Sequence, residues 1–254
     1  MTVYFVSAGP GAPDLLTLRA KSIIEQCPNI LYAGSLIPDA VLKFAGTQTK
    51  KINTATLSRS EIFEHFKSAA ANGEDLARLH SGDVSLYSAM TEQIDYLIEH
   101  KINYEIIPGV PSYTAAAASF GLELTNPGLC QSLILTRTSK KSSKMPETET
   151  LEIFAQSNAT IAIHLSAKNV EDIKSELLPH YGPDCPVLIA VEVSWPSEKC
   201  ISTTLEHLPQ TIQQHAIERT AIIFVGNSLG RKSSIKSALY DKDHKRHLKE
   251  GPDE

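Results

Sequence analysis

Short apolar runs alternate with longer segments of helical periodicity along the chain. Compact apolar runs bounded by turn residues predict buried strands, and apolar residues repeated every three or four positions predict amphipathic helices. Ser58 and Glu61 have the spacing of a capping box at the start of a predicted helix over residues 58–71. The pattern Leu86, Met90, Ile94 and Leu97 predicts a second helix after Ser85. The predicted strands are residues 3–6, 30–32, 76–80, 104–107, 132–135, 160–165, 187–193 and 221–225.

This alternation is typical of an α/β fold with largely parallel sheets. The best boundary lies at residues 121–128, which divides the chain into an N-terminal α/β domain over residues 1–120 and a C-terminal α/β domain over residues 121–241. Residues 242–254 carry alternating charges without apolar periodicity, so we expect a disordered tail there.

Three predicted strands end in turns with the composition of ligand-binding loops. The first turn is residues 7–14, the second is residues 81–83, and the third is residues 108–112. Ligands of open α/β sheets gather at the carboxyl ends of strands, so these turns are expected to share one edge. The first turn, with Gly9-Pro10-Gly11, lacks the third glycine of a dinucleotide fingerprint and the lysine of a phosphate loop. Pro10 also removes a backbone donor that a phosphate would need.

Composition narrows the class of protein. The 254 residues are 42% hydrophobic and 21% charged, which is typical of a folded globular protein, and the net charge of −5 disfavours a general nucleic-acid-binding surface. We expect no membrane segment and no signal peptide. The four cysteines lack metal-ligand spacing, so we expect no metal and a cytoplasmic location; they are Cys27, Cys130, Cys185 and Cys200.

Several residues allow two interpretations. Asp83 is expected either to cap the following helix or to accept hydrogen bonds from a ligand. The small residues 112–119 suit either a buried helix or a helix packed against a flat ligand. Lysines at 140, 141 and 144 suit either a solvated loop or a binding site for anionic groups. No Ser-His-Asp or Cys-His arrangement is evident, but His80 and His164 lie at predicted strand ends.

Together the three turns resemble the tetrapyrrole methyltransferase family, which uses S-adenosylmethionine. The motifs that carry the resemblance are Ala8-Gly9-Pro10-Gly11, Ser81-Gly82-Asp83 and Pro108-Gly109-Val110-Pro111-Ser112, in the order of the family. The resemblance covers residues 2–240. Two positions depart from the family pattern, since Ala12 stands where Asp is usual and Val84 stands where Pro is usual.

Further features resemble the branch that methylates C11 of precorrin-4 in cobalamin biosynthesis, and they include Arg137, Met145-Pro146, His164 and Ser194-Trp195-Pro196. The expected reaction is methyl transfer to C11. The alternatives are the cobalt-bearing form of precorrin-4, a different ring carbon, or, from another class, a nucleotide-binding regulatory module that uses the Gly9-Pro10-Gly11 turn.

The resemblance implies two α/β domains with a trough between them, a homodimer, and a tetrapyrrole substrate. It implies S-adenosylmethionine as cofactor, with S-adenosylhomocysteine as product. The implied cofactor-binding residues are Pro10, Ser81, Gly82, Asp83, Leu86, Tyr87, Pro111, Ser112, Leu165 and Val193. Candidates for tuning ring protonation are Tyr113, His80 and Arg137, and candidates for substrate binding are Gly9, Gly11, Arg19, Arg137 and Lys140.

Overall fold

A computed structural model of the chain describes residues 1–139 and 144–230. Lys140 and the predicted tail, residues 242–254, lie outside this range. Contacts group the described residues into two compact units: residues 1–120 with 190–200, and the described residues of 121–189 with 201–230. Residues 190–200, which the sequence pattern placed in the C-terminal domain, therefore belong to the first unit. Within the described residues, no helix has the length and apolarity needed to cross a membrane.

The first unit is built on a five-stranded sheet in the order β3-β2-β4-β1-β5, and its pairs are parallel. The predicted parallel α/β arrangement is confirmed here. The strands are β1 (Thr2–Ser7), β2 (Asn29–Tyr32), β3 (Lys50–Asn53), β4 (Leu76–His80) and β5 (Asn103–Ile107). The helices are α1 (Leu18–Gln26), α2 (Asp39–Leu42), α3 (Arg59–Asn72), α4 (Thr91–Glu99) and α5 (Ser112–Ser119), and residues Pro13–Leu15 form one 3-10 turn.

Both faces of the three central strands, β2, β4 and β1, are covered by buried residues. Alternate residues of a strand point to opposite faces, so Phe5 packs with Leu31 and Phe66 in one cluster, while Val6 packs with Ile24 in another. The two clusters include residues of α3 and α4 on the first face and of α1 and α2 on the second. The sheet is thus fixed between two helical layers, and its carboxyl edge is held in place by the core beneath it.

Two helix starts illustrate how local sequence sets the boundaries. Ser58 caps α3 as predicted: its hydroxyl accepts from the backbone N–H of Glu61, and the Glu61 carboxylate accepts from the Ser58 N–H. The prediction that a helix follows Ser85 directly is wrong, because α4 begins at Thr91. Tyr87 and Ala89 adopt left-handed backbone conformations with φ of 54° and 50°, and such residues interrupt a right-handed helix.

The second unit contains most of a five-stranded sheet in the order β6-β7-β10-β8-β9. Strands β6 and β7 are parallel, whereas β7 and β10 are antiparallel, so this sheet is mixed. Its strands are β6 (Leu133–Arg137), β7 (Thr160–His164), β8 (Pro186–Val191), β9 (Lys199–Thr204) and β10 (Ala221–Val225). Its helices are α6 (Leu151–Ala155), α7 (Val170–Tyr181) and α8 (Leu208–Gln214).

Candidate active site

The first and second turns are joined by a pair of backbone hydrogen bonds. The Gly82 N–H donates to the Gly9 carbonyl at 2.7 Å, and the Gly9 N–H donates to the Gly82 carbonyl at 3.2 Å. Both glycines have positive φ, 69° for Gly9 and 68° for Gly82, a conformation that residues with a Cβ adopt only with strain. Because β1 and β4 are neighbours, the ends of these strands bring the two turns together as expected.

Asp83 joins the second turn to the third. One carboxylate oxygen accepts from the Gly109 N–H at 2.7 Å, and the other accepts from the Ser85 N–H at 2.9 Å and from the Ser85 hydroxyl. Burial opposes ionisation of this carboxyl, but the hydrogen bonds from Ser85 and Gly109 outweigh it and lower the pKa of Asp83 below its ordinary value. Asp83 therefore does not cap α4; it places a fixed negative charge between two turns.

Ser7, the last residue of β1, ties the same edge together from below. Its hydroxyl accepts from the Val84 N–H at 2.9 Å, and Ser7 is fully buried. A Cβ on Gly109 would lie 2.4 Å from the Cβ of Ser7, so only glycine allows the third turn to approach β1 this closely. A proline at position 84 has no N–H to donate, so this bond is specific to a chain with a residue such as Val84.

The predicted cofactor-binding residues of the first unit differ in exposure. Pro10, Gly82 and Val193 are buried, and Tyr87 is 44% exposed. Residues of intermediate exposure are Ser81, Asp83, Leu86, Pro111 and Ser112. The edge thus presents mainly backbone groups and apolar side chains, as suits a ligand with apolar and hydrogen-bonding parts.

Leu165 lies in the second unit, beside a pocket of about 470 Å³. Its side chain is 53% exposed and its φ is 56°, an unusual backbone for leucine. The neighbouring Ser166 is buried, accepts from the Thr138 N–H at 2.8 Å and donates to the His164 carbonyl at 2.6 Å. These bonds hold the chain reversal that turns Leu165 outward, and strained backbone of this kind concentrates at functional sites.

The far side of this pocket was missed from the sequence. It is formed by Arg219, Thr220 and Ala221, which lead into β10, and Thr220 also has a positive φ of 53°. Because β10 runs antiparallel to β7, its start lies beside the end of β7. The expectation of parallel strands would place the start of β10 at the opposite edge. The only available sequence signal was the polar Glu218-Arg219-Thr220 preceding an apolar run.

The candidates for tuning ring protonation occupy dissimilar environments. His80 is buried beside the Phe5 ring, at 6.0 Å between ring centroids, and burial together with Arg78 lowers its pKa to about 3. It is therefore neutral at pH 7. Tyr113 is partly exposed in the first turn of α5, and Arg137 ends β6, where its guanidinium donates to the Thr138 carbonyl at 3.1 Å.

The substrate-binding candidates also differ in exposure. Gly9 and Gly11 are buried in the first turn, whereas Arg19 is exposed on α1 with its guanidinium 3.8 Å from the Glu105 carboxylate. Burial also lowers the pKa of His164 to about 4, at the end of β7. Each unit therefore has a neutral imidazole at a strand end, His80 at the end of β4 in the first unit and His164 at the end of β7 in the second.

Comparison with known proteins identifies the family. Residues 2–209 match the family of Tetrapyrrole (Corrin/Porphyrin) Methylases. The chain is 47% identical over 249 residues to a precorrin-4 C(11)-methyltransferase of Pseudomonas aeruginosa, covering 98% of each protein.

Two solved structures are similar as well. A cobalt precorrin-4 methyltransferase of cobalamin biosynthesis has a TM-score of 0.86 and 32% identity, with 89% of this chain and 94% of that chain covered. A Thermus thermophilus uroporphyrin-III C-methyltransferase, solved with S-adenosyl homocysteine, has a TM-score of 0.74 and 27% identity, with coverage of 89% and 92%. The match over most of its length shows that this chain belongs to the tetrapyrrole methylase family.

Proposed function

We propose that this protein transfers a methyl group from S-adenosylmethionine to C11 of precorrin-4, giving precorrin-5 in cobalamin biosynthesis. The observation that carries the proposal is the single edge formed by three turns, in which Gly9, Gly82 and Gly109 bring backbone groups together around the Asp83 carboxylate. The extent of the similarity to the Pseudomonas enzyme supports the choice of substrate.

The residues fit a sulfonium cofactor. S-adenosylmethionine supplies a methyl group already activated by the positive charge on its sulfur. The lowered pKa of Asp83 keeps a carboxylate ionised in the second turn, and a fixed anion stabilises a nearby cation. In the second unit, the pocket next to Leu165 has the volume of a small-molecule site, and its lining includes Thr220 and Ala221.

The protein's contribution to the reaction is mainly orientation. An electron-rich ring carbon and an activated methyl group need alignment more than a protein nucleophile. Tyr113 is the candidate for handling a ring proton, because it lies partly exposed in the first turn of α5, directly after the third turn. His80 is neutral and buried, so in our proposal it supports the strand end rather than donating a proton.

The acetate and propionate groups of the substrate require cationic partners. We propose Arg19 and Arg137 for this role; Lys140, also expected to contribute, lies outside the described residues. Raising the salt concentration should weaken substrate affinity, and Arg137→Gln should reduce that salt dependence. The resemblance also implies a homodimer located in the cytoplasm, and light scattering on the purified protein tests the homodimer.

Calorimetry and product analysis test the proposed function. The purified protein should bind S-adenosylhomocysteine and not ATP or NAD; the reverse preference would favour a nucleotide-binding regulatory module. Incubation with labelled S-adenosylmethionine and either precorrin-4 or its cobalt form, followed by mass spectrometry and NMR of the product, identifies the substrate and carbon. Methylation of only the cobalt form, or of another carbon, would contradict the assignment.

A further inference from the structure

The segment between β8 and β9 closes over the first turn of the first unit. The indole N–H of Trp195 donates to the Pro10 carbonyl at 3.0 Å, and the hydroxyl of Ser194 accepts from the Ala12 N–H at 2.9 Å. The two bonds lie on either side of Gly11. The bonded residues lie 182 and 185 positions apart in the sequence, so the contact depends on the folded chain and not on neighbouring residues.

The absence of a side chain at Gly11 makes this contact possible. A Cβ at this position would lie 2.3 Å from Cδ1 and 2.4 Å from Nε1 of Trp195, and 3.1 Å from the Ser194 hydroxyl. No positive φ is involved at Gly11, unlike Gly9. The missing side chain is therefore needed for close approach of the indole, which seats the ring directly on the backbone of the turn.

Glu198 also fixes the segment between β8 and β9. Its carboxylate accepts from the backbone N–H of Ser194, whose φ of 63° is an unfavourable conformation for a residue with a side chain. Burial opposes ionisation of Glu198, yet hydrogen bonds from Ser194, Ser119 and Cys200 lower its pKa below the ordinary value. The carboxylate thus holds a strained backbone in the position from which Ser194 and Trp195 reach the first turn.

We propose that Ser194 and Trp195 are positioning residues for the methyl donor, fixing the first turn so that Pro10 meets the cofactor in a preformed site. This inference rests on the proposed function, since it assigns the first turn to the cofactor. Neither side chain need touch the cofactor, because the Ser194 hydroxyl and the Trp195 indole N–H are already hydrogen-bonded to the first turn. A turn held in one conformation lowers the ordering cost of binding, so loosening it should weaken cofactor affinity.

Two conservative variants separate positioning from general stability. Trp195→Phe keeps an aromatic ring but removes the N–H donor, and Ser194→Ala removes the acceptor. Tyr181→Phe is the matched control, because it deletes an aromatic donor to a backbone carbonyl, Ala159, at 2.6 Å in the second unit. All three variants should lose some thermal stability, which circular dichroism records.

Calorimetry with S-adenosylhomocysteine then supplies the decisive measurement. We expect affinity to fall about 3- to 10-fold in Trp195→Phe and in Ser194→Ala, the range expected for loss of one hydrogen bond. Tyr181→Phe should bind as the wild type does. In steady-state assays the same two variants should raise the KM for S-adenosylmethionine more than they lower kcat.

Intrinsic fluorescence adds a readout independent of turnover, because Trp195 is the only tryptophan of the chain. Adding S-adenosylhomocysteine to the wild type should change its emission, with a midpoint that matches the calorimetric Kd. Equal affinity in wild type, Trp195→Phe and Ser194→Ala would overturn the inference while leaving the proposed function intact. Absence of S-adenosylhomocysteine binding by the wild type would instead contradict the proposed function.

Discussion

Replacing Asp83 with asparagine tests whether a charged hydrogen-bond acceptor holds the second and third turns together. Asparagine keeps the shape but exchanges one accepting oxygen for an NH₂ donor, which then faces the N–H of either Gly109 or Ser85. A hydrogen bond to a charged group contributes about 1.5–3 kcal/mol when buried. Since Asp83 is only partly buried, water replaces some of this, and we expect a loss of about 2 kcal/mol in the free energy of unfolding.

The pH dependence of this loss identifies its cause. A carboxyl with a lowered native pKa contributes stability that is present above the unfolded pKa of about 4 and disappears as pH falls through the native pKa. Urea unfolding at pH 7 and pH 3.5 should therefore show a large deficit for Asp83→Asn at the higher pH and a smaller one at the lower pH. Asp95→Asn, an exposed carboxylate on α4, is the control and should change little. An Asp83→Asn deficit that is absent at pH 7, or equal at both pH values, would refute this reasoning.

Three further predictions concern other parts of the site. Gly109→Ala should lower the free energy of unfolding by about 1–3 kcal/mol in urea titrations, because its Cβ would collide with Ser7. Leu165→Asp should weaken S-adenosylhomocysteine binding at least about tenfold in calorimetry, without lowering the melting temperature, whereas the similarly exposed Ile98→Asp on α4 should leave binding unchanged. Burial lowers the native pKa of His80, so its stabilising contribution is complete above about pH 6.5 and declines toward pH 3, by up to about 1.4 kcal/mol per pH unit. His80→Gln should flatten the stability–pH profile in that window, and an unchanged slope would contradict the assignment.

The first half of the fold could be predicted because its signals are local. Apolar runs predicted β1, β2, β4 and β5. The order of the turn motifs predicted the sheet edge at which the three turns meet. Strand β3 (Lys50–Asn53) was missed because it lies at the edge of the sheet and three of its four residues are exposed, so it shows little apolar pattern. Strand β9, also at an edge, is largely polar for the same reason.

The parts of the site that were missed depend on pairing between distant segments. Thr220 lines a pocket only because β10 runs antiparallel to β7, and strand direction is not visible in the composition of the run. Trp195 was noticed as a motif without a role, since its contact with the first turn spans 185 residues. Asp83 was placed correctly at the edge, but its partner, the Gly109 N–H, is supplied by the third turn.

Closure of the first turn by Trp195 has a consequence for synthesis of the protein. The strands that frame the edge are all translated by Ile107, yet Ser194 and Trp195, which fix Ala12 and Pro10, follow 87 and 88 positions later. Domains begin to fold while the chain is still being made, and contacts between distant segments form late. The first unit can therefore assemble its sheet early, but the first turn acquires its final partners only after residue 195 has left the ribosome. Cofactor-competent protein thus appears late in translation, and a chain truncated before Ser194 would fold a sheet whose first turn lacks both bonds.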